Sequence, residues 1–225
     1  MPLLGRAAVA MWWDMAPEHR TEFEDWHSHE HFPERMRIEG FRRGSRWASA
    51  SGAEGFFVLY ELDTYDVLTS PHYLARLNAP TPWSTKMMPR HRNMVRSQCR
   101  VLASFGAGIA ASLLTIRLAP QPGCDRALGD ALLGALTKVH GVAGITGAHV
   151  LQTDTPRSAM TREQVIRGGD KSADWIVIVA GYDARSVSDV SGGRLGEEML
   201  SRMGAEGHQI RDLFTLSHSI TPSEL

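Results

Sequence analysis

Residues 26–35 read WHSHEHFPER, and a Gly-Phe pair follows at residues 40–41. These ten positions hold three histidines and two glutamates, the densest group of proton-transferring or metal-binding side chains in the chain. Thr21 and Glu24 have the spacing of a capping box, so the pattern predicts a helix that begins just after Thr21. The helix is expected to kink at Pro33 and to end before the Gly-Phe pair.

Helical geometry predicts which of these side chains face inward. At about 100° per residue, His27 and Glu30 share the side of the apolar Phe23. His31 lies at the margin of that side, and His29 lies opposite. Burying ionisable groups costs several kcal/mol unless they are paired or hydrated. An apolar helix face that carries such groups therefore predicts a pocket beside the helix.

Segments of alternating or compact apolar character predict four strands in each half of the chain. In the first half they are residues 7–15, 41–50, 56–62 and 94–104. In the second half they are residues 110–118, 142–151, 175–181 and 210–220. Besides the histidine-bearing helix, helices are predicted at residues 66–77, 125–139 and 186–205. The order β-α-β-β-α-β is therefore predicted to occur twice.

This order is the split β-α-β unit of ferredoxin-like folds. A single four-stranded sheet with helices on one face leaves its other face bare, and two such sheets cover each other. We therefore predict an α+β fold in which two fused ferredoxin-like βαββαβ repeats pack sheet to sheet as an internal dimeric α/β barrel. The repeats are predicted at residues 1–106 and 107–225, with a polar insertion near residues 155–173.

The segment that runs from Trp26 through HFPER at residues 31–35 to GFRR at residues 40–43 resembles the first helix and second strand of EthD-like proteins. These proteins belong to the dimeric α/β-barrel superfamily. Residues 78–96, which contain PTPW and NMVR, resemble uncharacterised members of that group. The superfamily includes cofactor-independent monooxygenases, muconolactone isomerases and chlorite dismutase-like haem proteins. The resemblance therefore implies a fold more narrowly than it implies a reaction.

Three hypotheses account for the histidines of this segment. In the first, His31 is the catalytic acid or base, His27 is the second choice, and Glu30 orients one of the imidazoles. In the second, His27 and His31 bind a metal, because residues four apart share one side of a helix, although no third ligand is evident. In the third, the histidines are structural and bond to carbonyls and glutamates near Pro33. The resemblance favours His31, whereas helix geometry alone favours His27.

Substrate-binding side chains are predicted from their type and from their expected place near the helix. The aromatic residues expected to line the pocket are Trp13, Trp26, Trp47, Tyr60 and Trp83. Arg46, on the second predicted strand, is expected to hold a carboxylate or phenolate, since arginine forms bidentate pairs. The corresponding helix of the second half carries a stripe of leucines and no histidine cluster. One site per chain is therefore predicted, in the first half.

The composition of the 225-residue chain excludes several classes of partner. Its 24 Lys and Arg are balanced by 25 Asp and Glu, so no basic surface favours nucleic acid. No apolar run approaches the about 20 residues that span a bilayer, so no membrane partner is predicted. Two cysteines are too few for a disulfide framework and indicate a reduced, cytoplasmic protein. Neither a metal nor a cofactor is predicted, and an exposed sheet edge would favour a homodimer.

The sequence thus predicts a small cofactor-independent enzyme that uses histidine acid/base chemistry. Its substrate would be a small aromatic or unsaturated carbonyl compound, and the reaction would be of the lyase, isomerase or oxygenase type. A non-catalytic small-molecule-binding or assembly protein is the first alternative, and a metal-dependent enzyme that uses His27 and His31 is the second. A roomy pocket beside either histidine would favour an enzyme, whereas packed and fully bonded histidines would favour the structural hypothesis.

Overall fold

Eight antiparallel strands form the framework of the described part of the chain. The computed structural model describes residues 3–154 and 160–225. The strands are β1 (Ala7–Asp14), β2 (Phe41–Ser49), β3 (Gly55–Leu62), β4 (Arg92–Gly106), β5 (Ser112–Leu118), β6 (Ile145–Thr153), β7 (Trp175–Gly181) and β8 (Ile210–Ile220). They pair in the order β1-β3-β2-β8-β5-β7-β6-β4, and β4 returns to β1, so one closed barrel results.

Helices pack against the outside of this barrel. They are α1 (Pro17–Trp26), α2 (Phe32–Met36), α3 (Pro71–Asn78), α4 (Pro82–Met87), α5 (Asp125–Val139), α6 (Arg162–Arg167), α7 (Ala184–Gly192) and α8 (Glu197–Arg202). A π-helical turn, His27–His31, joins α1 to α2. Three 3-10 turns are formed by Tyr65–Thr69, Met88–Arg90 and Pro222–Glu224. Within the described residues, no helix is both long and apolar enough to cross a bilayer.

The predicted fold, two ferredoxin-like repeats with their sheets packed face to face, is wrong. Hydrogen bonds join the two halves on both sides of the barrel, because β2 pairs with β8 and β4 pairs with β6. Two long strands, β4 and β8, close the barrel. β4 pairs with β1 through residues 92–100 and with β6 through residues 99–106. β8 pairs with β2 through residues 214–220 and with β5 through residues 210–215.

Closure has a physical reason that the prediction left out. The outer strands of two separate sheets would expose unpaired backbone N–H and C=O groups, and a barrel gives these groups partners. The sheet edge that was expected to favour a homodimer is therefore not present among the described strands.

Side-chain alternation along β1 separates two apolar environments. Ala8, Ala10 and Trp12 point into the barrel, whereas Val9 and Trp13 point outward and pack beneath helices. This is the period of two that a strand imposes. The barrel interior also contains Trp47, Phe57, Leu59, Cys99, Leu151, Ile176, Ile178 and Phe214. The candidate site described below lies on the outward side, beneath the helices of the first half.

The histidine-bearing helix begins earlier than predicted. It starts at Pro17 rather than after Thr21, because the missing N–H of a proline is harmless at the first helical position. The kink predicted at Pro33 takes the form of the π turn just before it. Phe32 donates its backbone N–H to the carbonyl of His27, five residues earlier, instead of four.

The π turn changes which side chains face the barrel. Such a turn holds one residue more than an α-helical turn, so the angular positions of an ideal helix no longer apply. His27 is 2% exposed and His31 is 7% exposed, while His29 is exposed on the opposite side. His31 is therefore more deeply buried than an ideal helix predicts, since ideal geometry places it at the edge of the inward-facing side.

The polar insertion predicted near residues 155–173 contains the short helix α6. Residues 155–159 of this insertion lie outside the described residues. Thr161 and Gln164 form a capping box at the start of the helix. Gly168, with φ of +87°, ends it in the left-handed conformation that favours glycine. The helix packs beside α3 and the Met88–Arg90 turn.

Candidate functional site

A small cavity of about 20 Å³ lies between the outer face of the barrel and helices α2, α3 and α6. We call it the Arg35 cavity. Its polar lining is His31, Arg35, Tyr60, Tyr73, Arg96, Glu163 and Arg167, and its apolar lining is Val9, Met11, Phe41 and Leu77. A cavity of this size holds about one water molecule. The polar groups are thus closed around a small space and do not border a roomy pocket.

Charged side chains on α2 and α6 form a buried network. Arg35 Nη2 donates a 2.5 Å hydrogen bond to Glu163 Oε1, and both side chains are 4% exposed. Arg167 lies 3.7 Å from the same carboxylate and donates two hydrogen bonds to Asp170, at 2.9 and 3.2 Å. The network is continuous from α2 through α6 to the chain that follows it.

Two buried arginines keep their charge in this setting. Burial alone would lower the pKa of Arg35, but the Glu163 carboxylate raises it above its ordinary value. Burial also opposes the charge of Arg96, whose pKa is raised by Tyr73 and by the Asp170 carboxylate. Arg96 Nη2 donates a 2.7 Å hydrogen bond to the Tyr73 hydroxyl. The cavity therefore has a permanently charged guanidinium group from α2 and another from β4.

The two inward histidines are neutral. Burial, followed by the charge of Arg35, lowers the pKa of His31 well below 6.5. Burial, followed by the charge of Arg46, does the same to the pKa of His27. Their rings lie nearly parallel, with centroids 5.4 Å apart. Each imidazole is therefore in its proton-accepting state at neutral pH.

Three polar atoms at the Arg35 cavity have no hydrogen-bond partner among the described residues: His31 Nδ1, Arg35 Nη1 and the Tyr60 hydroxyl. Each such buried atom costs about 1–3 kcal/mol, so native structures contain few of them. Burial raises the pKa of Tyr60, which keeps its hydroxyl protonated and able to donate. A neutral imidazole, a guanidinium N–H and a phenol O–H are thus available to one small bound group.

Glu30 is engaged away from the imidazoles. Its Oε1 accepts hydrogen bonds from Trp26 Nε1 at 3.1 Å and from Thr81 Oγ1 at 2.5 Å, and Ser84 Oγ donates to it at 3.4 Å. Thr81 is the N-cap residue of α4. The carboxylate therefore fastens α4 to the π turn.

Aromatic rings surround His27 and separate it from the cavity. Its ring lies 4.2 Å from that of Phe32 and 6.0 Å from that of Trp13. Trp13 also packs 4.9 Å from His91, whose Nδ1 donates to the Met88 carbonyl at 3.1 Å. Burial lowers the pKa of His91 to about 4. This part of the predicted site is packed as a core.

The other predicted residues occupy several places. The ring of Trp26 lies 4.5 Å from that of His31. Arg46 donates to a backbone carbonyl of α1 at 3.2 Å, and burial lowers its pKa. Trp47 lies inside the barrel, and Trp83 Nε1 donates to a carboxylate on α1 at 3.3 Å. Of the residues predicted from the sequence, His31 and Tyr60 line the Arg35 cavity.

Sequence reasoning did not identify most of the polar groups at the cavity. They are Arg35, Tyr73, Arg96, Glu163 and Arg167, which come from α2, α3, β4 and α6. Arg35 ends the quoted histidine stretch, and Arg96 ends the NMVR segment, so the family resemblance was the one signal for each. Glu163 and Arg167 have the i,i+4 spacing of an ordinary solvent-exposed ion pair. Their burial depends on the tertiary fold.

Among the described residues, the neighbouring imidazoles of His27 and His31 are not accompanied by a third metal ligand. No cluster of three or more His, Cys, Asp or Glu side chains in residues 3–154 and 160–225 has the arrangement that holds a metal ion. His27 and His31 both lie in the π turn, with adjacent rings.

A wider depression of about 840 Å³ lies at one end of the barrel, apart from the Arg35 cavity. Trp12 and Trp13 contribute to its wall, and its described lining includes no histidine or tyrosine. Arg117 at its rim donates to Asp212 at 2.9 Å, and Arg211 donates to the Ser191 hydroxyl at 3.1 Å. The depression has unpaired atoms at Trp13 Nε1 and Arg117 Nε, whereas the Arg35 cavity brings together an unpaired imidazole, guanidinium and phenol, and we take that cavity as the candidate site.

The sequence matches no protein-family model and no curated protein. Solved structures match it over nearly its whole length. An anthrone oxidase-like protein covers 96% of the chain and 93% of its own, at 12% identity and a TM-score of 0.65. A proposed monooxygenase from Fusobacterium nucleatum covers 97% and 96%, at 7% identity and a TM-score of 0.61. Another from Lactobacillus acidophilus covers 96% and 97%, at 8% identity and a TM-score of 0.61. At these identities the likeness shows a shared fold.

Proposed function

We propose that the chain is a small-molecule oxygenase that acts on an enolisable aromatic ketone, with the Arg35 cavity as its reaction site. The observation that carries the proposal is the convergence of His31, Arg35 and Tyr60, each with a buried polar atom that no described residue satisfies. The fold shared with an anthrone oxidase-like protein and two proposed monooxygenases supports the oxygenase class. The HFPER resemblance at residues 31–35 extends this to an EthD-like role in the breakdown of small molecules.

In the first step His31 removes a proton from the carbon beside the carbonyl group. Its imidazole is neutral and can accept the proton, but the lowered pKa makes it a weak base. The reaction therefore depends on stabilising the enolate oxygen. Arg35 and Tyr60 would donate hydrogen bonds to that oxygen, and such bonds are stronger in a buried site than in water. The substrate is expected to have an acidic C–H, such as a methylene group next to aryl and carbonyl groups.

Molecular oxygen then reacts at the enolate carbon. The enolate supplies the electrons, a C–O bond forms at that carbon, and the proton held by His31 moves to the terminal peroxide oxygen. Loss of water from the hydroperoxide breaks the O–O bond and leaves a new carbonyl group. In balance, the methylene group and one molecule of dioxygen give a carbonyl group and one molecule of water. The substrate itself is the reductant, so this route requires only the ketone, dioxygen and the side chains of the cavity.

A non-catalytic small-molecule binder is the second candidate. The closed form of the cavity favours it, because about 20 Å³ admits about one water molecule. The packing of His27 among aromatic rings favours it as well. In a binder, the unpaired atoms of His31, Arg35 and Tyr60 would hold a ligand without turnover.

Oxygen consumption by the purified, untagged protein tests the proposal. Deoxybenzoin, whose methylene group lies between an aryl and a carbonyl group, is the first ketone to supply, and anthrone, whose methylene group is conjugated with its carbonyl group through the aryl rings, is the second. An absorption spectrum and an elemental analysis of the same sample report any haem or metal that co-purifies. We expect one dioxygen to be consumed per ketone oxidised, and the rate to fall by about 10²–10⁴-fold in His31→Gln.

His29 provides the matched control, because it lies in the same π turn and is exposed. His29→Gln is expected to keep the wild-type rate. Oxygen uptake that does not depend on the protein, or a His31→Gln variant as active as wild type, would contradict the oxygenase proposal. Saturable ketone binding without uptake would instead favour the second candidate.

A further inference from the structure

Among the described residues that line the Arg35 cavity, the carboxylate is that of Glu163, on the short helix α6. The barrel and helices α2 and α3 supply the positive and neutral polar groups, including Arg35 and Arg96. Glu163, on α6, reaches Arg35 from 128 residues further along the chain. Without Glu163, the guanidinium groups of Arg35, Arg96 and Arg167 would face the cavity with no carboxylate among its described lining residues. Arg167 is also paired with Asp170, so Arg35 on α2 and Arg96 on β4 form an oxyanion site into which α6 inserts the Glu163 carboxylate.

We propose that Glu163 is a displaceable occupant of this oxyanion site, and that an aromatic carboxylate or phenolate enters by taking its place on Arg35. The inference rests on the proposed function in that it concerns the same cavity. It adds the chemical class of the substrate, a carbonyl compound that carries an anionic oxygen, and it gives α6 the role of a gate.

Exchange of one carboxylate for another avoids the main energetic obstacle. Removing Glu163 alone would leave Arg35 buried and unpaired, which is strongly destabilising. An incoming carboxylate restores the pairing, because arginine donates two hydrogen bonds to a carboxylate in a bidentate geometry. Displacement of the Glu163 side chain also provides the space that a cavity of about 20 Å³ lacks.

Helix α6 is attached through these charges and through few other contacts. It has six residues, which is too short for a helix to be stable by itself. Its Val165 side chain is 62% exposed, Ile166 is only partly buried against the core, and the Arg162 backbone N–H donates to Asn78 at 3.0 Å. Gly168 and Gly169 follow it with φ of +87° and +91°. Release of the Arg35–Glu163 pair would therefore free the helix without disturbing the barrel.

Calorimetric titration with 2-naphthoate tests the proposal, with the neutral 2-naphthamide as the comparison ligand. We expect weak binding of naphthoate to wild type and binding about tenfold tighter or more to Glu163→Gln, because the competing internal anion is gone. The glutamine keeps an oxygen that accepts from Arg35, which favours folding. Arg35→Met/Glu163→Gln is expected not to bind. Glu61→Gln is the matched control, since Glu61 forms a separate buried pair with Arg43 at 2.6 Å, and it should bind as wild type does.

An unchanged or weaker affinity in Glu163→Gln would overturn the proposal, as would equal binding of naphthamide. Hydrogen–deuterium exchange in the wild-type protein provides a second test that requires no variant. Displacement of Glu163 should make the amides of residues 162–167 exchange faster when naphthoate is bound, whereas an ordinary ligand would protect them. Slower or unchanged exchange would also overturn it.

The two proposals fail separately. Naphthoate binding that is tighter in Glu163→Gln than in wild type, without oxygen consumption on any ketone, would overturn the oxygenase and support the gate. Oxygen consumption without naphthoate binding would overturn the gate and support the oxygenase.

Discussion

Arg35 on α2 and Glu163 on α6 form a hydrogen-bonded ion pair of 2.5 Å in which both side chains are 4% exposed. The pair connects segments that are 128 residues apart in the sequence. Two charges lose much of their hydration on burial, and their attraction offsets that loss only when the geometry is good. The pair therefore sets the charge of the cavity and holds a short helix over it.

Breaking this pair from one side should be costly. Arg35→Met leaves the buried Glu163 carboxylate with the more distant Arg167, at 3.7 Å, as its described partner, and we expect the free energy of unfolding to fall by about 3 kcal/mol. Arg35→Met/Glu163→Gln should lose less, because no charge is stranded. Urea unfolding at pH 7 measures both. Arg202→Met removes an exposed pair with Glu198, of 3.7 Å, and should cost at most about 0.5 kcal/mol. Equal losses of unfolding free energy in Arg35→Met and Arg202→Met would contradict this prediction.

Mild acid should destabilise the protein through its buried histidines. Burial lowers the pKa of His27 and His31 well below 6.5, and it lowers that of His91 and His149 to about 4. A histidine whose folded pKa is lower than its unfolded pKa binds more protons when the chain is unfolded. Its contribution to stability is therefore complete above pH 6.5 and is lost as the pH falls from 6.5 toward 4.

We expect the free energy of unfolding to drop by about 2 kcal/mol per buried histidine between pH 7 and pH 5. Urea titrations at pH 7, 6 and 5 measure the slope. His91→Gln should flatten it, because that histidine then takes up no proton on unfolding. His29→Gln, at an exposed position, should leave it unchanged. Stability that is constant from pH 7 to pH 5 would show that the buried histidines are hydrated in solution.

Tyr60 and Tyr73 should respond differently to loss of their hydroxyl groups. No described residue bonds to the Tyr60 hydroxyl, so Tyr60→Phe should keep its stability or gain up to about 1 kcal/mol. If this hydroxyl stabilises an enolate, the same variant should lose about 10²–10³-fold in ketone oxidation. Tyr73→Phe removes the acceptor of the buried Arg96 and should cost about 1–3 kcal/mol. A loss of stability in Tyr60→Phe equal to that in Tyr73→Phe would contradict the assignment.

The strands could be predicted from sequence because their signals are local. The apolar runs at residues 175–181 and 210–220 coincide with β7 and β8. The closed barrel could not be predicted in the same way. It depends on β4 and β8 each pairing with two neighbours through different parts of their length, and alternation alone does not reveal such pairing.

Some residues of the candidate site likewise have a local sequence signal, and others do not. The sequence singled out His31 and Tyr60, and both line the Arg35 cavity. The inward rotation of His31 follows from a π turn, which ideal helix geometry does not include. Glu163 lies in a polar insertion, where a solvent-exposed charge is the usual expectation. Its burial arises from packing against Arg35, a contact between residues that no local pattern connects.

Gly44 of β2 is expected to determine how closely the histidine-bearing segment approaches the barrel. A Cβ at this position would lie 2.9 Å from two ring carbons of Phe32 and 3.2 Å from a ring carbon of Tyr60. Phe32 is fully buried, and its ring packs 4.2 Å from that of His27. Gly44→Ala should therefore push α2 and the π turn outward and cost about 1–3 kcal/mol in unfolding free energy.

The same displacement should reach the cavity, because His31 and Arg35 lie on the segment that moves. We expect Gly44→Ala to lower ketone oxidation or naphthoate affinity together with stability, as measured by urea unfolding and by the assays above. Gly134→Ala is the matched control, since this exposed glycine of α5 has open space where the methyl group would lie. Alanine is the better helix former, so the control should gain about 0.5–1 kcal/mol. If Gly44→Ala behaved like the control, close packing of Phe32 on β2 would not be what positions His31.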